Sequence, residues 1–392
     1  PSSARLRSPA APGAAMAAVN VTSGDGRYYF ALGSSGVGVY GKDGTHVLTR
    51  AVAGLARVDD VAFAALPGGP VVGALDFSGA AVATASAGSL DVISAPATVK
   101  QGSFSSLSAS KDYLAVGTGT EPIVVFKLSP EGALGGVRSV GLGRGHPELT
   151  LDPERPLAFV ATHLPFFGWA GGYEYGVTEL SLDEPGPIQV LAQSGVTSSQ
   201  SRACCSTALV AFSFEHGAPN FGMRTATSVD KVATSSLDML VIHDTSARGS
   251  LKPLAQALPA DLGFFPRDVA IDTSSSTPTL FTVGPESLNS PEGRHLVRAV
   301  DLSTLRMSEP FELPTGGARV DAIATTGDTV AFASTKGPLF ATRASVLAGG
   351  AFSVPLPEPR SSSFCRQVCK LFCGSCTCCM GCCGCCCRGR PN

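Results

Sequence analysis

The residues best suited to chemistry crowd the C-terminus. Eleven of the chain's 13 cysteines lie between Cys365 and Cys387. The run CTCCMGCCGCCC sets them at CxxC, CxC and CC spacing. Thiolates so spaced share one coordination sphere for Zn²⁺ or Cu(I), or for an Fe–S cluster. Cys373, Cys376, Cys378, Cys379, Cys382 and Cys383 are the candidate ligands. A second chemistry is acylation. Cys365, Cys369 and Cys373 fall at helical spacing with Phe364, Val368 and Phe372, beside Arg366 and Lys370. Lipid chains next to a basic patch supply the two signals that stable membrane anchoring needs. A third is a disulfide knot in an oxidising compartment, where an odd number of thiols leaves at least one sulfur over. Phe364, Val368, Leu371, Phe372 and Met380 are interspersed among the thiols and favour the anchor, then metal, then disulfides. The uncharged run from Leu371 to Cys387 is short for a full membrane span.

Carboxylates form a second constellation. Asp60 precedes VAF, Glu148 precedes LTL, Asp268 precedes VAI and Asp321 precedes AIA. If these apolar runs are equivalent strands around one axis, the acids ring one mouth of a channel. Hard oxygen ligands so placed suit Ca²⁺. The competing and favoured reading is that Asp and Glu meet backbone N–H groups where turns become strands. Ser106 stands at the comparable place in the third unit and interrupts the series. The six histidines are scattered. No HExxH, GxSxG or phosphate-loop spacing occurs.

Two insertions carry the contact-prone residues. Phe166, Phe167, Trp169, Tyr173 and Tyr175 stand in one Gly-rich stretch that holds the only Trp. Phe221 and Met223 stand in another, His216 to Ser236. Trp and Tyr dominate protein-binding hot spots; folding back over the chain's own sheet is the alternative. Cys204 and Cys205 read as buried free thiols.

The elements that must position these groups are strands. The chain has 392 residues, 44% hydrophobic and 15% charged, with 45 Gly and 28 Pro. That supports a sizeable core and excludes global disorder. Short apolar runs such as Tyr113-Leu-Ala-Val116 and Thr279-Leu-Phe-Thr-Val283 are punctuated by Gly, Pro, Ser and Asp, a strand pattern. They recur in seven units, at about 17–54, 55–102, 103–143, 144–195, 196–260, 261–314 and 315–357. That period predicts an all-β, seven-bladed β-propeller over 17–357, with blades packed radially. Around it stand an N-terminal arm (1–16), a Pro/Ser linker (358–363) and the basic cysteine-rich tail (364–392).

Blade three, YLAVGTGTEPIVVFKLSPEGAL, and blade four, HPELTLDPERPLAFVATHL, resemble blades of 6-phosphogluconolactonase-like (YVTN-type) propellers. The resemblance implies seven blades. It also implies the competing function, a metal-dependent lactonase-like hydrolase with Ca²⁺ held by the channel-mouth carboxylates. No catalytic set carries over, because blade motifs describe architecture shared by many functions.

Five basic residues and no acid follow Glu358, so a mildly acidic body carries a basic tail. A net charge of −2 argues against nucleic-acid binding. The acid-poor, Arg- and Ser-containing first residues resemble the remnant of an organellar targeting segment. Together these features lead to an expected non-catalytic scaffold or accessory subunit of a membrane-associated complex. It would dock on protein subunits through blade loops and on the membrane surface through the tail. A plastid, with a photosynthetic complex as host, is the expected setting.

Overall fold

The computed structural model describes residues 21–359, apart from 24–25, 34–35, 100–103, 119–121, 143–147, 166–172, 198–223, 229, 237–238, 275–276, 289, 291, 335–339 and 349–351. Seven antiparallel sheets follow one another, each with its strands hydrogen-bonded in chain order. Blade one is Val21–Ser23, Tyr28–Gly33, Gly36–Gly41 and His46–Arg50, and blade two is Asp60–Leu66, Gly69–Asp76, Ala81–Ser86 and Val92–Thr98. Blade three is Phe104–Ala109, Tyr113–Thr118, Ile123–Leu128 and Leu134–Val140, and blade four is Glu148–Leu151, Leu157–Pro165, Tyr173–Ser181 and Gln189–Thr197. Blade five is Arg224–Thr227, Lys231–Ser236, Met239–Asp244 and Lys252–Ala257. Blade six is Asp268–Asp272, Thr279–Pro285 and His295–Asp301, with a broken outer strand, Arg306–Met307 and Phe311–Leu313. Blade seven is Val320–Thr326, Thr329–Ser334 and Phe340–Arg343.

The apolar runs are continuous because the middle strands are buried on both faces. In Tyr113–Thr118, Leu114 and Val116 pack toward blade two, whereas Tyr113 and Ala115 pack toward blade four. In Thr279–Pro285, Leu280 faces blade five while Phe281 and Val283 face blade seven. Every seam between consecutive blades has its own apolar cluster. The last joins Tyr29, Ala31 and Tyr40 of blade one to Ala322, Ala324, Ala331 and Ala333 of blade seven, which closes the ring. Alanines dominate this last seam, and small side chains let two sheets approach closely. Gly73 shows the same constraint, since a Cβ there would come 2.6 Å from Leu114 Cδ1 of the next blade.

Two segments differ from the sequence expectation. The stretch expected as an insertion in blade five holds that blade's two inner strands, Arg224–Thr227 and Lys231–Ser236. Their Thr- and Ser-rich sequences carry little apolar signal, yet they are paired through a regular register. The apolar run ALVAFSF at 208–214 lies outside the described residues.

The end of blade seven also departs. After Arg343 the chain forms a short helix, Ala344–Ala348, whose Leu347 is buried in the seam with blade six. Val354–Pro355 then pairs with Arg306–Met307 at the outer edge of blade six. The Arg306 guanidinium donates to the carbonyls of Phe352 (3.1 Å) and Ser353 (2.6 Å). The Gln256 N–H of blade five donates to the Pro357 carbonyl at 3.0 Å. Val354 and Leu356 find apolar cover in the seam between blades five and six, which draws the segment there.

Candidate functional site

The inner strands surround a cavity of about 500 Å³ on the ring axis. Its wall includes Asp60–Ala65, Leu107–Lys111, Glu148–Leu151, Ala226–Thr227, Asp268–Ile271 and Ile323–Thr325. Asp60, Glu148 and Asp268 each open an inner strand, so they share one mouth. Three of the four expected carboxylates are therefore brought to one cavity. The side chain of Asp321 lies outside the described ones, although its backbone belongs to Val320–Thr326.

Asp60 and Asp268 do the same local work. Asp60 Oδ2 accepts the N–H of Leu107 from the next blade at 2.7 Å, and its Oδ1 accepts the N–H of Val61 at 2.9 Å. Asp268 Oδ2 accepts the N–H of Ile323 from the next blade at 2.8 Å, and its Oδ1 accepts the N–H of Val269 at 2.9 Å. Both residues are buried, so each bond satisfies a backbone donor that water does not reach. Ser106 continues this series rather than breaking it. Its hydroxyl oxygen accepts the N–H of Leu149 in blade four at 3.1 Å. The next face-matched residue, Ser108, accepts the N–H of Leu151 at 2.9 Å.

Chemically, the Asp60 and Asp268 carboxylates at this mouth already accept backbone hydrogens. No group of three or more His, Cys, Asp or Glu among the described residues is arranged to hold a metal ion. At the wall's other end Lys111 and Glu154 form an exposed ion pair of 3.2 Å.

The seam between blades four and five carries polar groups that sequence spacing did not reveal, because they come from different strands. Glu179, fully buried, accepts the N–H of Gly249 on both carboxylate oxygens at 3.1 Å. Arg155 donates to the Thr245 carbonyl at 2.8 Å and pairs with buried Asp152. Arg248 bonds the Asp183 carboxylate and holds its pKa below the usual range. His243 is 1% exposed, and neither ring nitrogen has a hydrogen-bond partner among the described residues. Burial lowers its pKa to about 4. Its strand neighbours Met239 and Val241 share its face and pack against Ala161 of blade four.

The partner-contact residues are placed only in part. Phe166, Phe167, Trp169, Phe221 and Met223 lie outside the described residues, as do all the cysteines, including Cys204, Cys205, Cys365, Cys369, Cys373, Cys376, Cys378, Cys379, Cys382 and Cys383. Tyr173 and Tyr175 lie on the third strand of blade four, paired with Pro165 and His163. Glu148 pairs with Ala161, so this hairpin continues beyond the inner strand at the end that carries Glu148. Thr197 pairs with Glu174 at that same end. Pro165, Tyr173 and Thr197, the described residues that flank segments 166–172 and 198–223, therefore stand at the channel-mouth end of blade four. No helix among the described residues is long and apolar enough to cross a membrane.

No protein-family model and no curated protein matches the sequence. The architecture, in contrast, resembles solved structures. A chain of Kuenenia stuttgartiensis hydrazine synthase superposes with a TM-score of 0.59 at 12% identity, covering 86% of this chain and 98% of that one. The Cps50 (Swd1) β-propeller domain from Myceliophteria thermophila gives 0.55 at 7% identity, covering 86% and 97%. A chain of a mitotic checkpoint complex gives 0.54 at 12% identity, covering 88% and 94%. At such identities the likeness is one of fold, and the fold is a seven-bladed β-propeller.

Proposed function

We propose that the protein is a non-catalytic scaffold or accessory subunit of a membrane-associated protein complex. The observation that carries this reading is that Pro165, Tyr173 and Thr197, which flank segments 166–172 and 198–223, stand at one end of blade four. The first segment holds aromatic residues and the second Phe221 and Met223, residue types suited to a binding hot spot. The C-terminal segment supports a division of labour. Its described part is strapped to the outer rim across blades six and five through Leu356 and Pro357. The thiols and basic residues of the tail then attach the ring to an anionic membrane surface. The acid-poor N-terminal residues make a plastid membrane the first host to examine.

The test is purification of the full chain from its source with its bound partners and its intact mass. Loss of a membrane-bound partner on removing residues 364–392, and separately on Trp169→Ala, is the expected result. Added acyl mass on the tail supports the anchor. A calcium-dependent hydrolase activity abolished by Asp268→Ala would overturn the scaffold reading in favour of a lactonase-like enzyme.

A further inference from the structure

Blade six carries a segment that its place in the ring does not require. Its sheet already has an outer strand, Arg306–Met307 and Phe311–Leu313, yet Val354–Pro355 pairs outside it. Among the described residues no other sheet has a segment added beyond its own outer strand. The added segment crosses the edge of the blade. Phe352 packs in the seam with blade seven, and Val354 and Leu356 pack in the seam with blade five.

Its contacts are those of a bound peptide. The Arg306 guanidinium takes the carbonyls of Phe352 and Ser353. The Leu356 N–H donates to the Leu305 carbonyl at 2.9 Å, and the Pro357 carbonyl accepts the Gln256 N–H of blade five. When a strand is added to a sheet edge, main-chain bonds hold it and pockets for alternate side chains read it. Val354 and Leu356 are the half-buried alternates, and Pro355 between them is exposed. Pro355 and Pro357 have no N–H to offer a further strand, so the addition stops at one segment. Their fixed φ also lowers the cost of ordering it.

The receiving edge is held by blade six itself. Leu305 has φ of 54°, a left-handed conformation unfavourable for leucine, and its N–H bonds the Asp301 carbonyl at 2.8 Å. The Asp301 carboxylate in turn accepts the N–H groups of Ser303 and Thr304. This turn presents the Leu305 carbonyl to the segment.

We infer that the outer edge of blade six, with the Gln256 N–H of blade five, is a recognition groove for an extended aliphatic-Pro-aliphatic-Pro protein segment. Val354-Pro-Leu-Pro357 fills it in cis, and a partner's segment of the same pattern enters when this one lifts off. The cis segment is a strong competitor, because its attachment gives it a high effective concentration.

The test uses the full chain and a labelled synthetic peptide of residues 351–359. Full-length Leu356→Asp, with its own segment weakened, should bind the peptide at least about tenfold more tightly than the unaltered chain does. Arg306→Ala added to that variant should weaken capture by about tenfold, and a scrambled peptide should not bind. Hydrogen exchange on the unaltered chain is an independent reading. The Leu356 amide should exchange at least about tenfold faster than those of Leu280 to Val283 in the centre of the blade, as a locally opening segment does. Equally slow exchange at Leu356, or loss of the cooperative fold in Leu356→Asp, would overturn the proposal, because the segment is then part of the ring. A folded Leu356→Asp chain that fails to bind the peptide, or that binds the scrambled one equally, would overturn it too.

Discussion

The Asp60 carboxylate of blade two accepts the backbone N–H of Leu107 in blade three at 2.7 Å, and Asp268 does the same for Ile323 between blades six and seven. The inner strands of adjacent blades belong to separate sheets and do not pair with each other, so a short side chain bridges them. Asp60→Ala should lower stability by about 2 kcal/mol, the cost of an orphaned buried donor, and Asp60→Asn by less. Urea unfolding of the two variants measures both.

Tyr29 is buried, and its hydroxyl shares a hydrogen bond with Thr329 across the seam between first and last blades. Burial pushes its pKa above the ordinary tyrosine value. Tyr29→Phe should cost about 1 kcal/mol. Thr329→Val should cost a similar amount, and the double variant should cost less than the sum. Thermal melts of the three variants complete the cycle.

His243 has a pKa lowered to about 4 by burial, against an ordinary value near 6.5. The unfolded chain therefore binds the proton more readily. The contribution is fully present above about 6.5 and is lost as pH falls toward 4. His243→Leu should flatten the stability curve between those limits without destabilising the protein at pH 8. An unchanged slope in stability measured from pH 4 to 7 would contradict this.

Asp76 works in the opposite chemical sense. Burial alone would raise its pKa, but donations from Gly79, Ser78, Ala56 and Arg57 outweigh it and hold the value at about 2. A carboxylate shifted down stabilises the fold above its unfolded pKa, and that stability disappears as pH falls through about 2. Asp76→Ala should cost about 2–3 kcal/mol at pH 7 and less as the pH approaches 2. Acid titration monitored by circular dichroism reads the difference.

At Gly284 an added Cβ would collide with the Phe265 carbonyl oxygen, a backbone atom that cannot rotate away. Gly284→Ala should destabilise by about 3 kcal/mol, beyond what a solvent-facing glycine shows. Gly141, with open space around its Cβ position, is the control.

Much of the architecture is legible in the residues. Runs such as Ile123-Val-Val-Phe and Thr329-Val-Ala-Phe-Ala must be buried on both faces, and their spacing implies repeated small sheets. In blade two the four strands fall on apolar runs separated by turn residues. In blade five the two inner strands do not. Arg224–Thr227 and Lys231–Ser236 have the composition of a loop, and only their neighbours in the narrow centre of the ring make them strands.

The site shows the same division. Sequence by itself determined that acids recur at the start of inner strands and that the tail is basic and rich in thiols. It did so because strand burial, turn chemistry and charge are local properties. Tertiary structure alone decided that Asp60 and Asp268 bond the next blade's backbone, and that Ser106 shares their role with a different functional group. It also decided that residues 352–357 strap blade six instead of finishing blade seven. Each of these depends on which strand lies beside which. That is settled by the closing of seven sheets around one axis, a long-range packing condition that no stretch of sequence carries within itself.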